Sequence, residues 1–104
     1  MIKHPNEFTQ HQIEKFFRGT GLDVEVNAIH GGYVVFFRLF SAIEACDVSD
    51  PAGRLIFDAS SDFWKLYWMS GRSQWHIHES YPRLNQALAE MLSDHAAHLF
   101  HKVL

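Results

Sequence analysis

Cysteine is almost absent from this sequence. Cys46 is the one cysteine among 104 residues, so the chain cannot form an intramolecular disulfide. Chains without disulfides are typical of reducing compartments, and we therefore expect a cytoplasmic protein. The thiol has no histidine close to it in the sequence and lies in an apolar stretch, which predicts a buried and unreactive side chain.

The sequence also lacks an excess of basic residues and any long apolar run. Nine Lys and Arg stand against 12 Asp and Glu, and the formal net charge of −3 argues against nucleic acid or an anionic membrane surface as a partner. No stretch is long enough to cross a bilayer, and the segment from Met1 to Pro5 has no apolar run like that of a secretion signal. We expect neither a nucleic-acid nor a membrane partner.

Motifs of catalysis are missing as well. The chain has no HExxH, no cysteine pair and no G-x-S-x-G, and Gly31-Gly32 lacks the strand-to-helix context of a phosphate loop. We therefore predict no catalytic residue and no cofactor, and we favour a non-enzymatic protein.

The composition that remains is that of one small globular domain. With 47% apolar and 20% charged residues, disorder is not expected, and residues 1–104 are long enough for a single core. Nine Phe and three Trp indicate that large aromatic side chains fill much of this core.

The pattern predicts one helix near each end of the chain. Thr9 and Gln12 form a capping box, and the first helix should stop at Gly19 to Gly21. Ser80 to Pro82 supplies the cap of the second helix, in which apolar residues recur at helical spacing as far as Val103.

Between the helices the first signal is a hairpin. Leu22–Ile29 and Tyr33–Phe40 have strand patterns, and Gly31-Gly32 is predicted to be their two-residue turn. Counting outward from this turn places Glu25 opposite Arg38, which would form a cross-strand ion pair.

The next segment is less regular. Residues 41–48 fit either a strand or a helical turn, and Asp50 to Gly53 is predicted to be a turn. A further strand is expected from Arg54 to Ala59.

A second hairpin carries all three tryptophans. Phe63–Met69 and Trp75–His78 should be strands joined by a type II′ turn at Gly71-Arg72, with Trp68 opposite Trp75. Alternation then predicts a core face of Trp64, Leu66, Trp68, Trp75 and Ile77. The opposite face would carry Lys65, Tyr67, Met69, His76 and His78.

The order of elements predicts an α+β fold. An N-terminal helix, a four- or five-stranded antiparallel meander sheet and a C-terminal helix packed on one face account for the whole chain. Both helices on one face would leave a second, partly apolar face open, and such a face is typical of a partner surface. The residues that we expect on this surface are Lys65, Tyr67, Met69, His76, His78 and Phe36.

The expected role is that of a binding or accessory module acting through this sheet face. Its partner would be a second copy of the chain, giving a homodimer, or an unknown protein or small molecule. An inhibitor or immunity-type protein is a further alternative, which the size and acidity fit.

The eight histidines leave another alternative open. A metal-binding protein or small enzyme could use His76 and His78 with a carboxylate such as Glu44 or Asp58. Histidines of the last predicted helix could add a ligand, namely His95, His98 and His101. Because that helix is expected on the tryptophan face, away from His76 and His78, we predict no metal site.

The motif residues of the chain resemble those of a known family. They are Ile13-Glu14-Lys15 in the first helix, Trp64-Lys65-Leu66-Tyr67-Trp68-Met69, Trp75-His76, and the spaced Leu84, Ala87, Leu88 and Glu90. The pattern resembles a family of short bacterial proteins classed only as a domain of unknown function, in which a W-x-L-Y-W strand precedes a W-H strand and a terminal helix. The chain departs from it at Glu79, where a tyrosine is common. The resemblance implies a small bacterial α+β protein and no catalytic residues.

Overall fold

The protein is an α+β domain built on one antiparallel sheet. The computed structural model describes residues 3–41, 45–93 and Phe100. Over these residues the sheet has five strands in the order β1-β2-β3-β4-β5, so the predicted meander is confirmed. The elements are α1 (Glu7–Arg18), β1 (Val24–Ile29), β2 (Gly32–Ser41), β3 (Cys46–Asp58), β4 (Phe63–Met69), β5 (Trp75–Tyr81) and α2 (Leu84–Met91).

The N-cap of helix α1 lies three residues before the predicted one. The side chain of Asn6 accepts a hydrogen bond from the backbone N–H of Thr9 at 2.8 Å, which makes Asn6 the N-cap. The backbone N–H of Asn6 is itself tied to the hydroxyl of Tyr33 at 2.9 Å, so a contact with the sheet fixes the start of the helix. The capping box at Thr9 and Gln12 is therefore wrong, and Thr9 is buried instead.

Helix α2, in contrast, begins later than predicted. Strand β5 continues to Tyr81, so Ser80 pairs within the sheet and Arg83 is the N-cap. The helix ends at Met91, and the remainder of the predicted helix falls largely on residues 94–99 and 101–104, outside the described residues.

The β1–β2 hairpin turns one residue earlier than expected. Its loop is His30-Gly31, with Gly31 at φ 78° in the left-handed region that glycine tolerates, and Gly32 already belongs to β2. The observed pairing of β1 with β2 therefore differs from the predicted pairing by two residues. Because side chains alternate with a period of two, this difference leaves each side chain on the same face of the sheet. Glu25 and Arg38 are no longer directly opposite, but their charged atoms still approach to 4.0 Å.

The predicted turn at Asp50 to Gly53 is wrong, because these residues lie inside β3. The register with β2 shifts where Val35 faces Gly53 and Phe36 faces Pro51, which leaves Ala52 as an extra residue. A β-bulge of this kind is one of the few places where a strand accepts proline. Cys46 at the start of β3 is exposed, so its predicted burial is also wrong.

The β4–β5 hairpin has a longer loop than predicted. Ser70 and Gln74 close it through a backbone bond of 2.8 Å, and Ser73 rather than Gly71 takes the left-handed conformation at φ 61°. A three-residue loop of this form is a common hairpin alternative to the two-residue turn. Met69 consequently faces Trp75, so the predicted pairing of Trp68 with Trp75 is wrong.

A second β-bulge lies in β5. Leu66 faces Glu79 while Tyr67 faces Ile77, which leaves His78 as the extra residue. Both His78 and Glu79 therefore stand opposite Leu66, a core residue, and are directed to the helix side of the sheet. The longer loop inverts the facing predicted for Trp75 to His78, so that Trp75 and Ile77 lie away from the helices, and the bulge then brings Glu79 to the same side as His78.

Both helices pack on the same face of the sheet and share one core. Its fully buried members come from α1, α2 and three strands, together with Phe100, and include Ile13, Phe17, Tyr33, Val35, Leu55, Leu66, Leu88, Met91 and Phe100. Each such side chain contributes about 1.5–3 kcal/mol by its removal from water. Gly53 lets α2 approach β3, since a Cβ there would lie 2.7 Å from the terminal methyl of Met91.

Candidate functional site

The sheet face turned away from the helices carries a partly apolar surface, which we call the outer face. Cross-strand pairing brings together on it Phe36, Arg54, Ile56, Lys65, Tyr67, Met69, Trp75 and Ile77. Most of these side chains are half-buried by their neighbours, and 55% of Ile77 is exposed. Over the described residues both helices belong to the opposite core, so the surface is not covered by either.

Arg54 lies in the middle of the outer face on the central strand β3. Its guanidinium carbon sits 4.5 Å from the centre of the Tyr67 ring and 5.7 Å from that of Trp75. The Nε atom is buried and has no hydrogen-bond partner among the described residues. The aromatic rings hold this cation in place by cation–π attraction without using its hydrogen-bond donors.

The other basic side chains on this face have carboxylate neighbours. Lys65 lies 3.5 Å from Asp58, and Arg38 lies 3.6 Å from Asp23. Hydrogen bonds from the side chain and backbone of Ser60, then a hydrogen bond from Ser61 and last the charge of Lys65, lower the pKa of Asp58 to about 2. Asp58 therefore stays ionised at neutral pH and pairs with Lys65. Among the described basic residues of the outer face, Arg54 is the one without a carboxylate neighbour and with an Nε donor that makes no hydrogen bond.

A second polar group lies on the opposite side of the sheet, between β5 and α2. We call it the helix-side cluster, and its members are His78, Glu79, Tyr81, Glu90 and Ser93. Nε2 of His78 is 2.7 Å from Oε2 of Glu90, and these side chains are only 18% and 12% exposed. The Ser93 hydroxyl lies 2.8 Å from the backbone carbonyl oxygen of Glu90 and 3.0 Å from its Oε1, and the Tyr81 hydroxyl donates to Oε2 of Glu79 at 3.2 Å.

Burial and the two glutamates together control the protonation of Tyr81 in this cluster. Burial, and then the charges of Glu90 and Glu79, raise the pKa of the Tyr81 phenol well above its usual range. Tyr81 therefore remains a protonated donor at all ordinary pH values. The ring of His78 is held edge-on against Phe100, with the ring centres 5.6 Å apart.

The structure brings together some of the predicted surface residues and separates others. Lys65, Tyr67, Met69 and Phe36 do lie on the outer face. The two histidines do not join them, because His78 contacts α2 and His76 stacks on Trp68 with ring centres 4.7 Å apart.

Of the two carboxylates proposed with these histidines, Asp58 is described, and it is not their neighbour. Asp58 is engaged with Ser60 and Lys65 on the outer face. Glu44 lies outside the described residues, as do His95, His98 and His101.

Sequence reasoning missed Arg54, Glu79 and Glu90. Arg54 could have been found, because it alternates with Leu55 and therefore shares the face of Ile56. Glu79 and Glu90 could not, since their approach to His78 depends on the bulge in β5, which no local pattern indicates.

Three comparisons with known proteins complete this description. A family model described as a domain of unknown function (DUF3024) matches residues 3–101. No curated protein and no solved structure matches the chain. Within the described residues, both helices are too short to span a membrane.

Proposed function

The chain belongs to the DUF3024 family, whose function is unknown, and we propose that it is a non-enzymatic binding module. In this proposal the outer face holds a segment of a partner protein that presents apolar side chains and one carboxylate. The observation that carries the proposal is Arg54, a cation stacked on Tyr67 at the centre of an aromatic surface, whose buried Nε has no hydrogen-bond partner among the described residues.

The apolar part of the surface favours a protein partner. Ile77, Trp75 and Met69 come from adjacent strands and form a continuous strip beside Tyr67. A strip of large apolar side chains rimmed by charged pairs is typical of interaction sites, in which aromatic anchors and arginine contribute most of the affinity.

The chemistry of Arg54 favours a carboxylate on that partner. A guanidinium presents a planar fork of N–H donors that matches a carboxylate in two parallel hydrogen bonds. Stacking on Tyr67 fixes the fork before binding, so less conformational freedom is lost in the complex.

A second copy of the chain fits this surface less well. A twofold dimer joins the same patch on both copies, and Arg54 lies on the central strand of the five. The two Arg54 side chains would then approach each other near the axis and repel.

The surface can be probed with 8-anilinonaphthalene-1-sulfonate, a dye that carries aromatic rings and an anionic group. We expect the folded protein to enhance its fluorescence and Arg54→Gln to weaken dye binding about 10-fold, the value of a lost charge-assisted hydrogen bond. Phe8→Ser is the matched control, because Phe8 is 74% exposed on α1, away from this face. Equal dye binding by wild type and Arg54→Gln, both with cooperative melting, would contradict the proposal.

The partner itself can be sought with a photo-crosslinking amino acid placed at position 77 in cells, and at position 8 as the control. An adduct with another protein, formed at position 77 and reduced by Arg54→Gln, supports the proposal. An adduct of twice the chain mass would mean that the outer face joins two copies, and it would refute the proposal of a different partner protein. The absence of any adduct specific to position 77 would also refute that proposal.

We extend the proposal to a cytoplasmic location. The sequence has one cysteine, and Cys46 is exposed at the start of β3, where a reducing environment keeps it a thiol.

A further inference from the structure

Three potential metal ligands converge between β5 and α2. The ligand atoms of His78, Glu79 and Glu90 all lie within 4.8 Å of one another. The bulge in β5 is the reason, because it directs two consecutive side chains of one strand to the same side of the sheet, where α2 supplies the third.

The spacing of these atoms suits a small ion after a minor adjustment. In a tetrahedral site with bonds of ~2.1 Å the ligand atoms are ~3.4 Å apart. Nε2 of His78 and Oε2 of Glu90 are closer than this, at 2.7 Å, while the other separations extend to at most 4.8 Å. An ion at the centre would therefore widen the His78–Glu90 pair and draw in the carboxylate of Glu79, whose side chain is exposed.

From this convergence we propose that His78, Glu79 and Glu90 bind one divalent transition-metal ion, with Zn²⁺ as the best match. One imidazole and two carboxylates are ligands that Zn²⁺ accepts in sites with three protein ligands and an open position. Mg²⁺ and Ca²⁺ prefer oxygen ligands alone, so the histidine selects against them.

The surroundings orient both carboxylates as metal sites require. The Ser93 hydroxyl donates to Glu90, and the Tyr81 hydroxyl donates to Glu79. Such outer contacts fix ligand geometry in known metal sites, and their loss typically costs 10–100-fold in affinity. The edge-on contact with Phe100 restrains the imidazole of His78 in the same way.

This site is independent of the binding surface proposed above. The outer face lies on the other side of the sheet and uses Arg54, Tyr67 and Ile77, which share no side chain with the metal ligands. Either proposal can therefore fail without the other.

The test is a Zn²⁺ titration of tag-free, metal-free protein, followed by calorimetry or by competition with a coloured chelator. We expect one equivalent for wild type, a loss of affinity of at least ~100-fold for His78→Gln and Glu79→Gln, and a loss of ~10-fold for Tyr81→Phe. His76→Gln is the matched control, because this histidine stacks on Trp68 two residues away. It should bind Zn²⁺ like wild type.

Melting of the same variants shows whether a loss of Zn²⁺ binding is due to a loss of folding. Glu79 is exposed, so Glu79→Gln should melt like wild type without metal, whereas Zn²⁺ should raise the Tm of wild type and His76→Gln only. The proposal is overturned if wild type binds no Zn²⁺, or if His78→Gln and Glu79→Gln bind it as tightly as His76→Gln does.

Discussion

At the scale of single residues, His4 shows how a contact outside the regular elements shapes the protein. Its Nδ1 lies 2.9 Å from the Tyr33 hydroxyl, and its ring packs against Trp64 and Phe57 with ring centres about 5 Å apart. Burial disfavours the imidazolium form and lowers the pKa of His4 below the usual 6.5.

This lowered pKa predicts a pH dependence of stability. Below pH 6.5 the unfolded chain takes up a proton at His4 that the folded protein resists, so the contribution of His4 is complete above pH 6.5 and is lost as the pH falls through the folded pKa. We expect the free energy of unfolding, measured by urea titration, to fall less on acidification in His4→Gln than in wild type. His30→Gln, at an exposed turn, is the control and should keep the wild-type dependence; equal dependence in His4→Gln would contradict the expectation.

The tryptophans provide a second prediction at this scale. Trp64 is 6% exposed and belongs to the core, whereas Trp68 only packs against its edge. We expect Trp64→Ala to lower the free energy of unfolding by about 3–5 kcal/mol and Trp68→Ala to lower it by less. Chemical denaturation of both variants tests this order, and a larger loss for Trp68→Ala would show that the edge contact matters more than burial.

At the scale of elements, the two bulges explain where sequence reasoning stopped. Alternation of apolar residues correctly predicted the buried face of β4, because local patterning decides which side of a regular strand is buried. It could not indicate the bulges at Ala52 in β3 and at His78 in β5, where one extra residue changes the phase of the strand beyond it. The length of a hairpin loop is equally hard to predict from the sequence. Gly71 indicated a two-residue turn, whereas Ser73 takes the left-handed conformation in the observed loop.

The close pairing of β2 and β3 leads to a prediction for glycine. A Cβ on Gly32 would overlap the backbone carbonyl oxygen of Leu55, which cannot move without breaking the sheet. We expect Gly32→Ala to cost about 3 kcal/mol or more in thermal or urea unfolding.

Two other glycines serve as controls for that prediction. A Cβ on Gly71 meets nothing within 4 Å, so Gly71→Ala should be nearly neutral. Gly53→Ala meets only the flexible end of Met91 and should cost less than Gly32→Ala. A neutral Gly32→Ala would mean that the strands can separate at this point.

At the scale of the whole molecule, the sheet separates two groups of functional side chains. One side carries the core and the helix-side cluster, and the other carries the aromatic surface around Arg54. Composition and element order predicted the α+β class and the open sheet face, because helices and strands that are segregated along a chain pack as layers. The assignment of His78 to its side required the three-dimensional pairing of β5, which depends on contacts distant in sequence.

The order of the strands also bears on how the chain folds. Each strand of the sheet is hydrogen-bonded to its neighbour in sequence, so every pairing closes only a short loop. The entropy lost in closing short loops is small, and chains with such local contacts fold faster than those that must first join distant segments. The sheet can therefore grow hairpin by hairpin, with no strand waiting for a partner from the far end of the chain.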